Sequence, residues 1–348
     1  MSDIKMYCPI IKLRRKEVHD LPNLFEAFQT MEIRPFFEII HPFATEYRSS
    51  KNSDKVIKNY QLCKILDQIP NNKECFVTIY RKLLKIHKAT FADSEYLKYA
   101  TVNPDDYEGE LKKALVFKQV TPVFSVGEQG DLPSVNDFID YCHENGRQMG
   151  LRLSNIDALS LGTVAKLTSK DFLFLDLGED PIQTLLPSFS LYQKLQSKPI
   201  LIILGENHNS SLPTKELADS ECDNVTFHPD FFDDISAFPF ITGAGDYCGL
   251  KNALTESRPT RQHPGFANAI FYQRKDKGYL VLRDEVEEGV AGFREIEAKA
   301  RNHKQMIDAH AWNIINKFER GGDWSSWNVA GLVHYIYQLA NYINDEEE

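Results

Sequence analysis

The 348-residue sequence contains no CxxC pair, no GxSxG elbow and no glycine-rich dinucleotide turn after its first apolar run. Those absences remove zinc ribbons, α/β-hydrolases and Rossmann dehydrogenases from consideration. Six cysteines (Cys8, Cys63, Cys75, Cys142, Cys222 and Cys248) are scattered, with no histidine at zinc-finger spacing, and read as core thiols of a reducing compartment. No run approaches the ~20 apolar residues of a spanning helix, and residues 1–6 carry mixed charge, so neither a signal peptide nor a membrane contact is expected and a cytoplasmic location is. Excess positive charge is also missing. Fifty acidic against forty basic side chains leave −10, which excludes a protein that coats itself in nucleic acid. The one basic cluster is Lys12-Leu13-Arg14-Arg15-Lys16.

What is present is a globular composition, 42% hydrophobic and 11% aromatic. Short apolar runs rich in Ile, Val and Phe predict strands over 7–13, 34–40, 75–81, 121–126, 149–154, 172–177, 199–204 and 238–242. Amphipathic stretches predict crossover helices over 16–28, 54–69 and 135–144, the last ended by Gly146. Strands alternating with helices imply a parallel sheet. The expected fold is α/β, a TIM-like (β/α)8 barrel over 1–250, favoured over an open doubly wound sheet because basic residues stand where a dinucleotide turn would follow the first strand. Residues 251–348 predict a β-hairpin around Asp276-Lys277-Gly278 and helices over 293–318 and 327–343, a C-terminal extension packed on the barrel.

The opening Pro9-Ile10-Ile11-Lys12, then Arg34-Pro35-Phe36-Phe37-Glu38-Ile39, and later Gly245-Asp246-Tyr247, Gly249-Leu250 and Pro264-Gly265-Phe266 before a hairpin, resemble the phage "beta protein" family across most of the chain. The resemblance implies a barrel-like fold and an occurrence in phages and bacterial defence-associated neighbourhoods. It implies no particular activity.

Barrels place reacting groups at the carboxyl ends of their strands. Here those ends carry Lys12, Glu38, His41, Arg81, Arg152, Asp176, Glu206, His208 and Asp246. One reading is a polar site in which Glu38, Asp176, Glu206 and Asp246 hold Mg²⁺ or Mn²⁺ while Lys12, Arg81 and Arg152 neutralise an anionic substrate, a phosphate ester, nucleotide or nucleic acid. His41 would serve as acid or base. Gly205 and the Gly243-Ala244-Gly245 stretch suit phosphate binding by backbone N–H groups, or else tight turns. The other reading is an interior ion-pair lattice, Glu38 with Arg152 and Lys12 with Asp176. Paired carboxylates also suit glycoside chemistry, although the basic residues speak against it. An alternative function is a non-catalytic scaffold whose C-terminal region, with its tryptophans, binds a protein partner. Those tryptophans read equally as helix packing.

Overall fold

The structure, a computed structural model, describes residues 4–13, 20–29, 31–39, 45–48, 55–58, 62–79, 107–126, 132–178, 180–205, 222–223, 230–248, 267–273, 278–284 and 289–344. The chain is an α/β protein built on a curled, wholly parallel sheet of nine described strands.

In chain order the elements are β1 (Met6–Tyr7), β2 (Ile10–Leu13), α1 (Leu21–Phe28), β3 (Phe36–Ile39), β4 (Thr45–Arg48), β5 (Lys55–Lys58), α2 (Leu62–Leu66), β6 (Cys75–Ile79), α3 (Tyr107–Lys112), β7 (Val120–Ser125), α4 (Leu132–Glu144), β8 (Gly150–Leu153), α5 (Leu161–Val164), β9 (Phe172–Asp176), α6 (Leu186–Gln193), β10 (Ile200–Gly205), β11 (Cys222–Asp223), α7 (Asp230–Ser236), β12 (Gly243–Asp246), β13 (Ala267–Gln273), β14 (Gly278–Asp284), α8 (Gly289–Asn302), α9 (Ala309–Ile315) and α10 (Trp324–Asn344). The sheet order is β1-β12-β10-β9-β8-β7-β6-β3-β2. Its two end strands are consecutive pieces of one extended segment, interrupted at Cys8-Pro9. Through Met6 and Tyr7 that segment pairs with β12, and through Ile10 to Leu13 with β3.

The side-chain period of two sorts each strand into an outer and an inner face. Outer positions such as Ile11, Phe37, Val77, Leu151, Leu173 and Ile203 join the large core under the helices. Inner positions form a second cluster that draws on most of the strands, among them Ile10, Phe36, Phe76, Val123, Phe172, Phe174, Ile202 and Leu204, while β8 and β12 turn glycines toward it. Edge-to-face rings fill it, Phe76 to Phe172 at 4.8 Å, Phe76 to Phe174 at 4.9 Å and Phe36 to Phe174 at 5.1 Å. Gly150 makes room for them, since a Cβ there would meet Phe174 and Val123 at 2.8 Å. Below the rings, Arg34 lays its guanidinium 4.2 Å over Phe76 and 4.5 Å over Phe172 and donates to Thr121 Oγ1 at 2.8 Å.

Seven of the eight expected strands fall where the apolar runs lie, to within one or two residues at most ends. The eighth does not. Residues 238–242 form a turn whose Phe238 and Phe240 rings pack on Phe189 at 5.0 and 5.3 Å, and the strand is the next segment, Gly243–Asp246. Its glycines answer a steric demand, because a Cβ on Gly245 would sit 2.2 Å from the Cys8 carbonyl oxygen. The expected helix over 54–69 is also corrected. Lys55–Lys58 is a strand paired antiparallel with Thr45–Arg48, in keeping with the β-branched Val56-Ile57 pair, and of the described residues there Leu62–Leu66 are helical. The 135–144 helix is present as α4, closed by Gly146 at φ +65°.

Hairpin β13–β14 forms as expected and gains β11 as a third strand. The long helix expected over 293–318 is two helices: α8 ends at Asn302, and Asp308, in extended geometry, accepts from the His310 and Ala311 N–H groups as the N-cap of α9. His334 on α10 is fully buried with both ring nitrogens facing oxygens, Nδ1 to Asp308 Oδ2 at 2.6 Å and Nε2 to the Tyr272 carbonyl. Burial alone would raise the Asp308 carboxyl, but the hydrogen bond and charge of His334 outweigh it and hold it below the usual carboxylate range. Trp327 and Trp312 are buried, and Trp327 donates to the Gly321 carbonyl at 2.8 Å. They pack helices rather than form an outward recognition surface. No described helix is long and apolar enough to cross a membrane.

The close approach at Gly245 predicts that Gly245→Ala lowers stability by roughly 1–3 kcal/mol through overpacking. Gly162→Ala, whose Cβ would meet open space, is expected to leave the melting temperature unchanged or slightly raised. Thermal denaturation of both variants checks the pair, and equal melting temperatures would contradict the account.

Candidate functional site

At the carboxyl ends of the strands the inner face changes character. Two residues beyond the apolar layer, the same alternation delivers Lys12 after Ile10, Glu38 after Phe36, Thr78 after Phe76, Ser125 after Val123, Arg152 after Gly150 and Asp176 after Phe174. The strand register places Lys12 beside Glu38 and Glu38 beside Thr78, and sets Ser125 beside Arg152. A polar ring therefore caps an aromatic interior.

Arg152 is its centre. Its NH1 donates to Glu38 Oε1, while Nε and NH2 donate to Asp176 Oδ2 at 3.0 and 2.5 Å. NH2 also donates to the Tyr247 hydroxyl, which in turn donates to Asp176 Oδ2 at 2.9 Å, and the Gly178 N–H donates to Asp176 Oδ1 at 3.1 Å. Burial opposes charge on Arg152 and Asp176, and their mutual attraction wins. The guanidinium is held well above its ordinary range by Asp176, Tyr247 and Glu38, and the Asp176 carboxyl is held below its own mainly by Arg152. Burial and the neighbouring carboxylates push the Tyr247 phenol well up, so it stays a donor.

Lys12 is buried with its ammonium 4.9 Å from the centre of the Tyr247 ring. Between Glu38 and Arg152 in the strand order the hydroxyls of Thr78, Tyr107 and Ser125 cluster, Thr78 Oγ1 lying 3.1 Å from Tyr107 OH and 3.0 Å from Ser125 Oγ. Glu38 differs from its neighbours in one respect. One oxygen is clamped by Arg152, and the other, Oε2, is buried with no hydrogen-bond partner. An acceptor left so carries a desolvation penalty of about 1–3 kcal/mol.

The expected four-carboxylate metal centre is not assembled. Asp246 stands on the outer face of β12, fully buried, accepting from Tyr7 OH at 2.8 Å and from Tyr335 OH of α10. The cause is the one-segment shift of the last strand, which turns Asp246 outward and Tyr247 inward. Glu206 lies outside the described residues, and so do His41, Arg81 and His208. Between Glu38 and Asp176 stands a guanidinium. Among the described residues no group of three or more His, Cys, Asp or Glu side chains could hold a metal ion.

The glycines expected to bind phosphate are corrected too. Gly243 and Gly245 lie inside β12, paired with β1 and β10, so they are neither an anion loop nor a tight turn. Gly205 ends β10, with its Cβ position 2.6 Å from the Phe231 ring. Of the expected lattice, the Glu38–Arg152 pair is present, and Asp176 is bound by Arg152 as well. Sequence reading missed Tyr247, Thr78, Ser125 and Tyr107. Continuing the inward alternation by two residues along each strand would have found Thr78 and Ser125. Tyr107 comes from α3 and carried no such signal.

Fold and site define an α/β protein with a curled parallel sheet and a charge-paired polar ring at the carboxyl ends of its strands. No family model, curated protein or solved structure matches this chain.

Removing the guanidinium leaves two carboxylates facing each other, and Arg152→Met should destabilise the protein by about 3–5 kcal/mol. A carboxyl depressed in the folded state stabilises it above the unfolded pKa of about 3.9, and the contribution is lost as pH falls through the folded value. The gap in melting temperature between wild type and Arg152→Met is therefore widest near neutrality and narrows below about pH 4. A gap independent of pH would contradict the charge clamp.

Proposed function

We propose that the chain is a closed (β/α)8 barrel whose carboxyl-end mouth binds a small molecule, with Glu38 as the group that meets it and Arg152, Asp176 and Tyr247 as the frame that fixes Glu38. Closure is supported by the first extended segment, which pairs with the last strand at one end and with β3 at the other, and by one inner cluster that joins residues of β2, β3, β6, β7, β9 and β10. The observation that carries the site is Glu38 itself: one oxygen clamped, the other buried and unpartnered, in a ring at the face where barrels place their chemistry. Cys248, directly after Tyr247, adds to it with φ at +51°, the kind of backbone strain that gathers at ligand sites.

A metal-dependent phosphoesterase is the weaker form of this proposal. A divalent ion between Glu38 and Asp176 would have to displace Arg152, and Asp246 belongs to another environment. The resemblance to the phage "beta protein" family supports proposing a role in phage or bacterial defence-associated settings. A scaffold that binds a protein through its C-terminal region is supported less, since Trp312 and Trp327 are spent on internal packing.

The test is a thermal-shift screen of the full chain against small polar metabolites, nucleotides, Mg²⁺ and Mn²⁺, repeated with Tyr247→Phe. At least one small molecule should raise the melting temperature of the wild type and lose most of that effect in the variant, while the metals alone shift neither protein. Stabilisation by Mg²⁺ or Mn²⁺ alone would restore the metal reading. A screen in which no compound discriminates the two proteins would sink the mouth as a ligand site.

A further inference from the structure

Resting on the reading of the mouth as a ligand site, we infer that its ligand is an uncharged polyhydroxylated molecule, sugar-like in chemistry, one of whose hydroxyls donates to Glu38 Oε2. Charge argues first. The described ring sets Lys12 and Arg152 against Glu38 and Asp176, so its formal charges cancel. Arg152 already spends its Nε, NH1 and NH2 groups on Glu38, Asp176 and Tyr247. A phosphate or carboxylate entering beside Glu38 would meet two carboxylates whose guanidinium partner is committed, and an ammonium would meet two cations. A neutral ligand disturbs neither balance.

Hydrogen-bond polarity argues next. An ionised carboxylate only accepts, so whatever completes Oε2 must donate. Beside it on the next strand, Thr78 Oγ1 lies 3.1 Å from the Tyr107 hydroxyl and 3.0 Å from the Ser125 hydroxyl, and a hydroxyl can both donate and accept as its rotor turns. Such a wall matches the hydroxyls of a polyol, which likewise do both, better than it matches a group that only accepts. The Tyr247 ring adds an apolar face beside the charged groups, 2% exposed. Entry is from the side of Asp176 and Arg152, which keep 15% and 10% of their side-chain exposure while Glu38 keeps 1%.

Saturation-transfer NMR on the full chain with myo-inositol and D-ribose, run beside ³¹P line broadening of inorganic phosphate, tests this. The expected result is transfer to at least one polyol, no phosphate broadening, and an affinity at least about tenfold weaker in Glu38→Gln, equivalent to ~1.4 kcal/mol. Circular dichroism checks that the variant folds, and if it does not, Thr78→Val replaces it with the same expected loss. Phosphate broadening without polyol transfer overturns the polyol and leaves the mouth as a ligand site. Polyol transfer unchanged in both variants puts the sugar elsewhere and overturns the inference. Neither signal, together with an unresponsive thermal-shift screen, overturns the inference and the mouth alike.

Discussion

A guanidinium buried above a plug of phenylalanine rings cannot stand alone, and Arg152 is stable there only because Glu38, Asp176 and Tyr247 surround it. The demand runs in both directions. Two carboxylates so placed would repel one another and drive each other toward the neutral form, and the one cation between them keeps Asp176 ionised. The arrangement of the polar ring follows from this clamp. Because Arg152 satisfies both Asp176 and one oxygen of Glu38, the second Glu38 oxygen is left, among the described residues, as a buried acceptor with no donor.

The clamp depends on the sheet beneath it. On β2, β3, β6, β7 and β9 an inward apolar residue is followed, two residues on, by a polar one, so the interior grades from Arg34 among rings at one end, through Phe36, Phe76, Phe172 and Phe174, to the charged ring at the other. The last strand is held by backbone closeness rather than by side chains: Gly245 abuts the Cys8 carbonyl. Immediately after it, Asp246 is pinned on the outside by Tyr7 and Tyr335 while Tyr247 turns inside to Arg152 and Asp176. Helix α10 of the C-terminal region thus holds, through Tyr335, the residue that precedes the tyrosine of the polar ring.

The parallel α/β architecture was legible in sequence because its strands are short runs of Ile, Val, Leu and Phe, and such runs report burial on both faces. The charged strand ends, Glu38, Arg152 and Asp176, stood out for the same reason: they interrupt those runs. What escaped reading was whatever departs from hydrophobic pattern. A strand of Gly-Ala-Gly-Asp looks like a loop, and mistaking its start sent Asp246 inward and hid Tyr247. Val56 and Ile57 fit a helical face on paper and pair as a strand in space. Asp308 gave no sign that it would cap one helix and hold a histidine 26 residues away. Partners so distant in sequence leave no local trace.

A crystal structure of the chain grown in the presence of Mg²⁺ and a neutral sugar tests the central claim most directly. The account predicts Arg152 between Glu38 and Asp176, with a water or sugar hydroxyl at about 2.5–3.0 Å from Glu38 Oε2. A metal ion bridging Glu38 and Asp176, with Arg152 turned out to solvent, would contradict it.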